Sequence, residues 1–195
     1  MKKILFVCFL ITMELAAQGT ELQVKQGAKN HVEFISDAPF GKFEGVTDNL
    51  DGYMYWEGNN FTANSSLYFE VDLNTLDTGI GLRNRHMREN YLHTDKYQYA
   101  FFKGKITNVT GAAQGAFNVD AEGSMFIHGV TKNIKISGVL AKTGDNDYNL
   151  KTKFNIKLSS YNIEIPSIMF VKISEVIELH LNFILMAANK SEGKK

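Results

Sequence analysis

The feature that most constrains this chain is a two-residue alternation of apolar and polar side chains, sustained over long stretches. Over 148–158, Tyr148, Leu150, Thr152, Phe154, Ile156 and Leu158 alternate with Asn149, Lys151, Lys153, Asn155 and Lys157. Over 61–73, Phe61, Ala63, Ser65, Leu67, Phe69, Val71 and Leu73 oppose Thr62, Asn64, Ser66, Tyr68, Glu70 and Asp72. Near the end, 175–187 sets Ile177, Leu179, Leu181, Phe183 and Leu185 against Glu178, His180 and Asn182. Successive side chains of a strand point to opposite faces, so each stretch predicts a strand with one buried face. Further strands are expected at 31–36, 42–47, 50–57, 99–109, 115–127 and 132–142. Asp51-Gly52, Gly58-Asn59-Asn60, Gly111 to Gly115 and Gly144-Asp145-Asn146-Asp147 read as turns, and Pro39 and Pro166 fall near strand boundaries.

Several of these strands are about twice the usual ~5–6 residues. Long antiparallel strands with one apolar face must curl or stack to bury it, and closure into a barrel also removes exposed edges. The expected class is all-β: a single antiparallel closed barrel, with a flat sandwich as the alternative. An outer-membrane barrel is disfavoured by the absence of flanking aromatic girdles. Residues 80–93 break the alternation. Leu82 and His86, with Met87, Tyr91 and Leu92 less regularly, could share a helical face, so one short helix is expected in a long connection able to cap a barrel end.

The N-terminus reads as an export signal: Lys2 and Lys3, then the apolar run Ile4 to Met13, then Ala16-Ala17-Gln18-Gly19. Ten apolar residues are too few to span a bilayer, which needs ~20. Cleavage after Gly19 would leave one domain at 20–188 and a polar, disordered tail at 189–195. Export implies a periplasmic or secreted location. The only cysteine, Cys8, lies in the signal, so the exported chain has no disulfide and no thiolate. It would carry 19 basic and 20 acidic side chains with no basic cluster, which argues against nucleic acid as a partner.

No nucleophile elbow and no His-Glu-x-x-His zinc motif is present. His86 and His93 are two helical turns apart, too far for a simple chelate, so no metal site is expected. The segment Thr78-Gly79-Ile80-Gly81-Leu82-Arg83-Asn84-Arg85-His86-Met87, then Tyr91-Leu92 and Lys96-Tyr97, resembles the YceI-like family of exported bacterial proteins. So does Gly123-Ser124-Met125-Phe126-Ile127-His128-Gly129-Val130-Thr131-Lys132, and Val32-Glu33-Phe34 with Gly41-Lys42-Phe43-Glu44-Gly45 is similar to the family's first hairpin. Asn84 departs from the usual aspartate, Met87 from leucine, Tyr91-Leu92 from two phenylalanines and Gln98 from proline; the region 159–175 is also unlike the common form.

The resemblance implies a lipocalin-like barrel that carries or stores a polyisoprenoid, an isoprenoid quinone or a similar lipid, with no other cofactor. It implies lining by Phe34, Phe43, Phe69, Phe101, Met125, Ile127, Phe154, Ile156 and Phe183; read from alternation alone, these side chains equally fill a solid core. Arg83 and His86 match family positions, and the Arg83 to His93 segment, Tyr91 included, would meet the ligand head or gate the mouth. Structural anchoring is the alternative for Arg83 and His86, and a structural hydrogen bond is the expected role of His128. The expectation is a carrier rather than an enzyme, with room for a homodimer over the mouth and for transient membrane contact during loading. A lipid-modifying enzyme using His86 and a solid-cored interaction protein are the competing readings.

Overall fold

A computed structural model of the chain describes residues 19–38, 41–111, 115–168 and 171–188. The expected signal at 1–18 and the tail at 189–195 lie outside the described residues, and Gly19, where cleavage was expected, opens the first strand. The strands are β1 (Gly19–Val24), β2 (His31–Ala38), β3 (Gly41–Thr47), β4 (Leu50–Glu57), β5 (Ser66–Asp72), β6 (Tyr99–Gly111), β7 (Ala116–Ile127), β8 (Val130–Lys142), β9 (Asp147–Lys157), the short β10 (Ser167–Ile168) and β11 (Val171–Lys172), and β12 (Val176–Ala187).

Eight strands close an antiparallel ring in the order β1-β4-β5-β6-β7-β8-β9-β12, with β12 pairing back onto β1. The free edge of β12 is shared. β2 covers Ile177–Asn182 and β1 covers Leu185–Ala187. Between them the buried Asn30 substitutes for a strand: its Oδ1 accepts from the Ile184 amide at 2.8 Å and its Nδ2 donates to the Lys25 carbonyl at 3.0 Å. β3 then hairpins onto β2 and meets the connection after β5 through the Val46–Asp77 bridge.

The barrel is expected and observed, but some local readings change. Asp51-Gly52 lies inside β4 rather than in a turn. Gly52 has φ +146°, and a Cβ there would meet the Tyr68 carbonyl oxygen at 2.2 Å, so the glycine admits a close approach of β5. The alternation at 61–65 is not strand. Asn60 Oδ1 accepts from the Thr62 amide at 3.1 Å and Asn64 has φ +45°, which turns the chain before β5. β1 and the β10–β11 hairpin were not expected at all.

The core is asymmetric along the barrel. One end is solid: Leu22, Leu140 and Leu185 are fully buried, beside Ile106, and Trp56 stacks on Phe61 at 4.7 Å, which meets Phe117 at 5.0 Å. The other end is hollow.

Candidate functional site

The hollow end encloses a cavity of about 490 Å³. Inward positions of the long strands supply its wall: Met54 from β4, Leu67, Phe69 and Val71 from β5, Ala100 and Phe102 from β6, Val119, Ala121, Met125 and Ile127 from β7, and Leu150, Phe154 and Ile156 from β9. β12 adds Ile177, Leu179, Leu181 and Phe183. The solid-core reading therefore holds for one end of the barrel only. Phe69 and Phe183 meet across the interior with ring centroids 4.6 Å apart.

The connection at 80–93 lies against this cavity. It forms helix α1 (Gly81–His86) and continues as a π-helical turn, Met87–Leu92. A π turn bonds i to i+5, which brings Met87 and Leu92 over one another. Leu82, Arg83, His86, Met87, Tyr91 and Leu92 all border the cavity, while Ile80 (53% exposed) and Leu82 (55%) leave an apolar rim in solvent.

A polar network bolts this segment down. Asn84 Oδ1 accepts from the Thr78 amide at 2.8 Å and the Thr78 hydroxyl at 2.6 Å, and Asn84 Nδ2 donates to Asp77 Oδ1 at 2.7 Å. The Asn84 hydrogen bond, the Gly79 amide and the nearby Arg88 charge hold the Asp77 carboxyl below the usual carboxylate range. Arg83 Nε donates to Thr78 Oγ1 at 2.8 Å, Nη2 donates to the Thr78 carbonyl, and the guanidinium lies 4.9 Å from the Phe43 ring centroid. Arg83 thus anchors the helix and also borders the cavity. His86 stands exposed on the rim, the segment's side-chain hydrogen bonds running instead through Arg83, Asn84, Arg88 and His93.

The far end of the segment is tied by two histidines. His93, in the left-handed conformation, closes the π turn. Its Nδ1 lies 2.8 Å from Nε2 of His128, and Nδ1 of His128 lies 3.1 Å from the Tyr161 carbonyl. His128 and Gly129, both at positive φ (+51° and +77°), form the two-residue turn between β7 and β8.

Phe34, Phe43, Phe69, Arg83, His86, Tyr91, Met125, Ile127, Phe154, Ile156 and Phe183 are brought together around one cavity. Phe101 is divided between the two faces of the wall. It borders the cavity, but its ring lies on the outer face, stacked on Phe126 at 4.8 Å beside Tyr68 and Lys103. Phe102 is the inward, buried residue. The signal was present in the sequence: Phe101 shares parity with Lys103 and Lys105, which a barrel turns to water. Met54, Leu150 and Ala121 were also missed as wall residues, although parity assigns Leu150 to the apolar face of 148–158.

Residues 23–185 match the family described as YceI-like domain. A UPF0312 protein of Vibrio parahaemolyticus is 28% identical over 76% of this chain and 79% of its own. Protein YceI of Escherichia coli is 25% identical over 72% and 74%. Among solved structures, a polyisoprenoid binding domain from Saccharophagus degradans superposes with a TM-score of 0.66 at 18% identity, covering 86% of this chain and 98% of that domain. Burkholderia cenocepacia BcnA does so with 0.65 at 16%, covering 80% and 96%. With its barrel, its bordering helix and a match that runs from β1 into β12, the chain belongs to the YceI-like family.

Proposed function

We propose that this protein is exported and holds one long apolar lipid, of the polyisoprenoid or isoprenoid quinone type, inside the hollow end of its barrel. The observation that carries the reading is the wall. Nearly every lining side chain is aliphatic or aromatic; Arg83 and His86 sit where the helical segment crosses the end, and Thr152 and Ser167 add only hydroxyls elsewhere on the wall. Such a site gains affinity by removing an apolar chain from water, about 0.8 kcal/mol per buried methylene. The polar end of the ligand remains near Arg83, whose guanidinium only donates. The structurally similar polyisoprenoid binding domain supports the same class of ligand.

Carriage rather than catalysis is the reading we favour, because His86 is exposed on the rim and the hydrogen bonds of the segment hold other residues. The exposed Ile80 and Leu82 suit brief contact with a membrane during loading, and the location follows from the export signal.

The test is mass spectrometry of an organic extract of the protein purified from its native envelope without detergent. One stoichiometric isoprenoid supports the reading and names the lipid. A lipid-free extract, repeated after mild purification, sinks stable carriage.

A further inference from the structure

The barrel ring is unevenly sewn. β7 and β8 pair over their whole facing lengths, from Ala116–Ala141 to Ile127–Val130. β9 and β12 pair from Val176–Lys157 to Met186–Asp147. Between β8 and β9, however, pairing runs only from Lys142–Tyr148 to Gly138–Thr152 and stops. Continued in register, Ser137 would meet Lys153, Lys135 would meet Asn155 and Asn133 would meet Lys157. Among the described residues, no strand pairing joins these two stretches.

The unpaired stretch has two defined ends. At one, the ladder finishes with Thr152 Oγ1 donating to the Ser137 carbonyl at 2.8 Å, so a side chain takes the place of the next strand partner. At the other, His128 Nδ1 meets the Tyr161 carbonyl, which ties the β7–β8 turn to the chain just beyond β9. Between these ties the facing inward side chains are Ile134 and Ile136 on one side, Phe154 and Ile156 on the other. All four are partly buried, and the last three border the cavity. Gly138, Thr152 and Leu181 border both the cavity and a shallow depression on the outer surface, so the wall there is one residue thick.

We infer that this gap between β8 and β9 is the passage by which an apolar chain crosses the barrel wall. The inference rests on the lipid-holding reading above. The physical contrast is between two exits. The mouth is crossed by a segment fixed by Arg83, Asn84, Thr78 and Asp77 and by the His93–His128 pair, and opening it breaks several hydrogen bonds. In the β8–β9 gap only apolar side chains intervene, and rotamer changes of Ile136, Phe154 and Ile156 displace no ladder bond. Side chains of that kind rearrange far faster than hydrogen-bonded segments open.

The experiment links the two strands. Lys135→Cys and Asn155→Cys, in a Cys8→Ser background, place outward thiols on either side of the gap, to be joined by a short bismaleimide. The probe is all-trans-retinol, a fluorescent isoprenoid, delivered from phosphatidylcholine vesicles. A control link joins Asn118→Cys to Val139→Cys across the paired β7–β8 ladder. The expected result is uptake and release both slowed about tenfold by the gap link, unslowed by the control link, because gating alters rates in both directions. Final occupancy then stays within about twofold, since neither end state has changed. Equal rates with and without the gap link, or equal slowing by the control link, overturn the passage while leaving the cavity reading intact. Failure of the unlinked protein to take up retinol at all counts against the cavity reading itself and removes the passage with it.

Discussion

The rings of His93 and His128 are hydrogen-bonded to each other, Nδ1 to Nε2 at 2.8 Å, and the geometry assigns their protons. The Tyr161 carbonyl only accepts, so His128 carries its proton on Nδ1 and its Nε2 accepts from Nδ1–H of His93. The pair joins three pieces of chain remote in sequence: the end of the helical segment, the β7–β8 turn and the turn after β9. Nitrogen-15 NMR should find both rings protonated at Nδ1; a His128 ring protonated at Nε2 alone would contradict this arrangement. His128→Asn keeps a residue that tolerates positive φ and removes the reach to Tyr161. It should cost about 1–3 kcal/mol in chemical denaturation, the usual range for stranding buried partners.

Asn84 suits its site because Asp77 already supplies the carboxylate. Asn84→Asp would place a second anionic oxygen against Asp77 Oδ1, where an amide now donates. The variant should melt at a lower temperature at pH 7, with the gap to the parent closing on acidification as the introduced carboxylate and Asp77 take up protons. In the parent, a carboxyl whose folded value is depressed contributes stability at neutral pH that disappears as pH falls through that value. A variant as stable as the parent at pH 7 would refute this account of the network.

Ala121 is a small buried residue on the cavity wall. Ala121→Phe should fill part of the hollow end and weaken binding of a long prenol at least about tenfold, while circular dichroism stays native. Across prenols of rising length, parent affinity should climb by up to about fourfold per added methylene until the cavity is full, then level off. Affinity independent of length would show that the chain does not enter the barrel.

On the outer face, the Tyr68 hydroxyl donates to the Glu70 carboxylate. Burial first, and the Glu70 hydrogen bond and charge next, push its ionisation up to about 12. The folded state therefore keeps this proton after the unfolded chain has lost it. The Tyr68 contribution to stability is full below the ordinary tyrosine value of about 10 and declines as pH rises towards 12. Spectrophotometric titration at 295 nm should lose one late-ionising component in Tyr68→Phe, leaving that of Tyr161, which burial also raises. An unchanged titration in that variant would exclude the assignment.

Strands and their inward faces were legible from alternation because period 2 is a property of the backbone, and water and core then sort the two faces. The motifs around Arg83 and His128 carried the family and with it the lipocalin-like closure. At Phe101-Phe102 two adjacent aromatics blur the alternation, and only the lysines of the same strand restore it. Other features depend on partners distant in sequence. The sharing of the β12 edge by β1 and β2 and the His93–His128 contact are pairings across 35 or more residues, set by how the ring closes. The hollow is of the same kind. Leu140 and Phe154 are apolar residues on inward faces alike, yet Leu140 packs the solid end and Phe154 borders empty volume. Only the distance across the closed barrel, which no local pattern encodes, separates a filled core from a cavity.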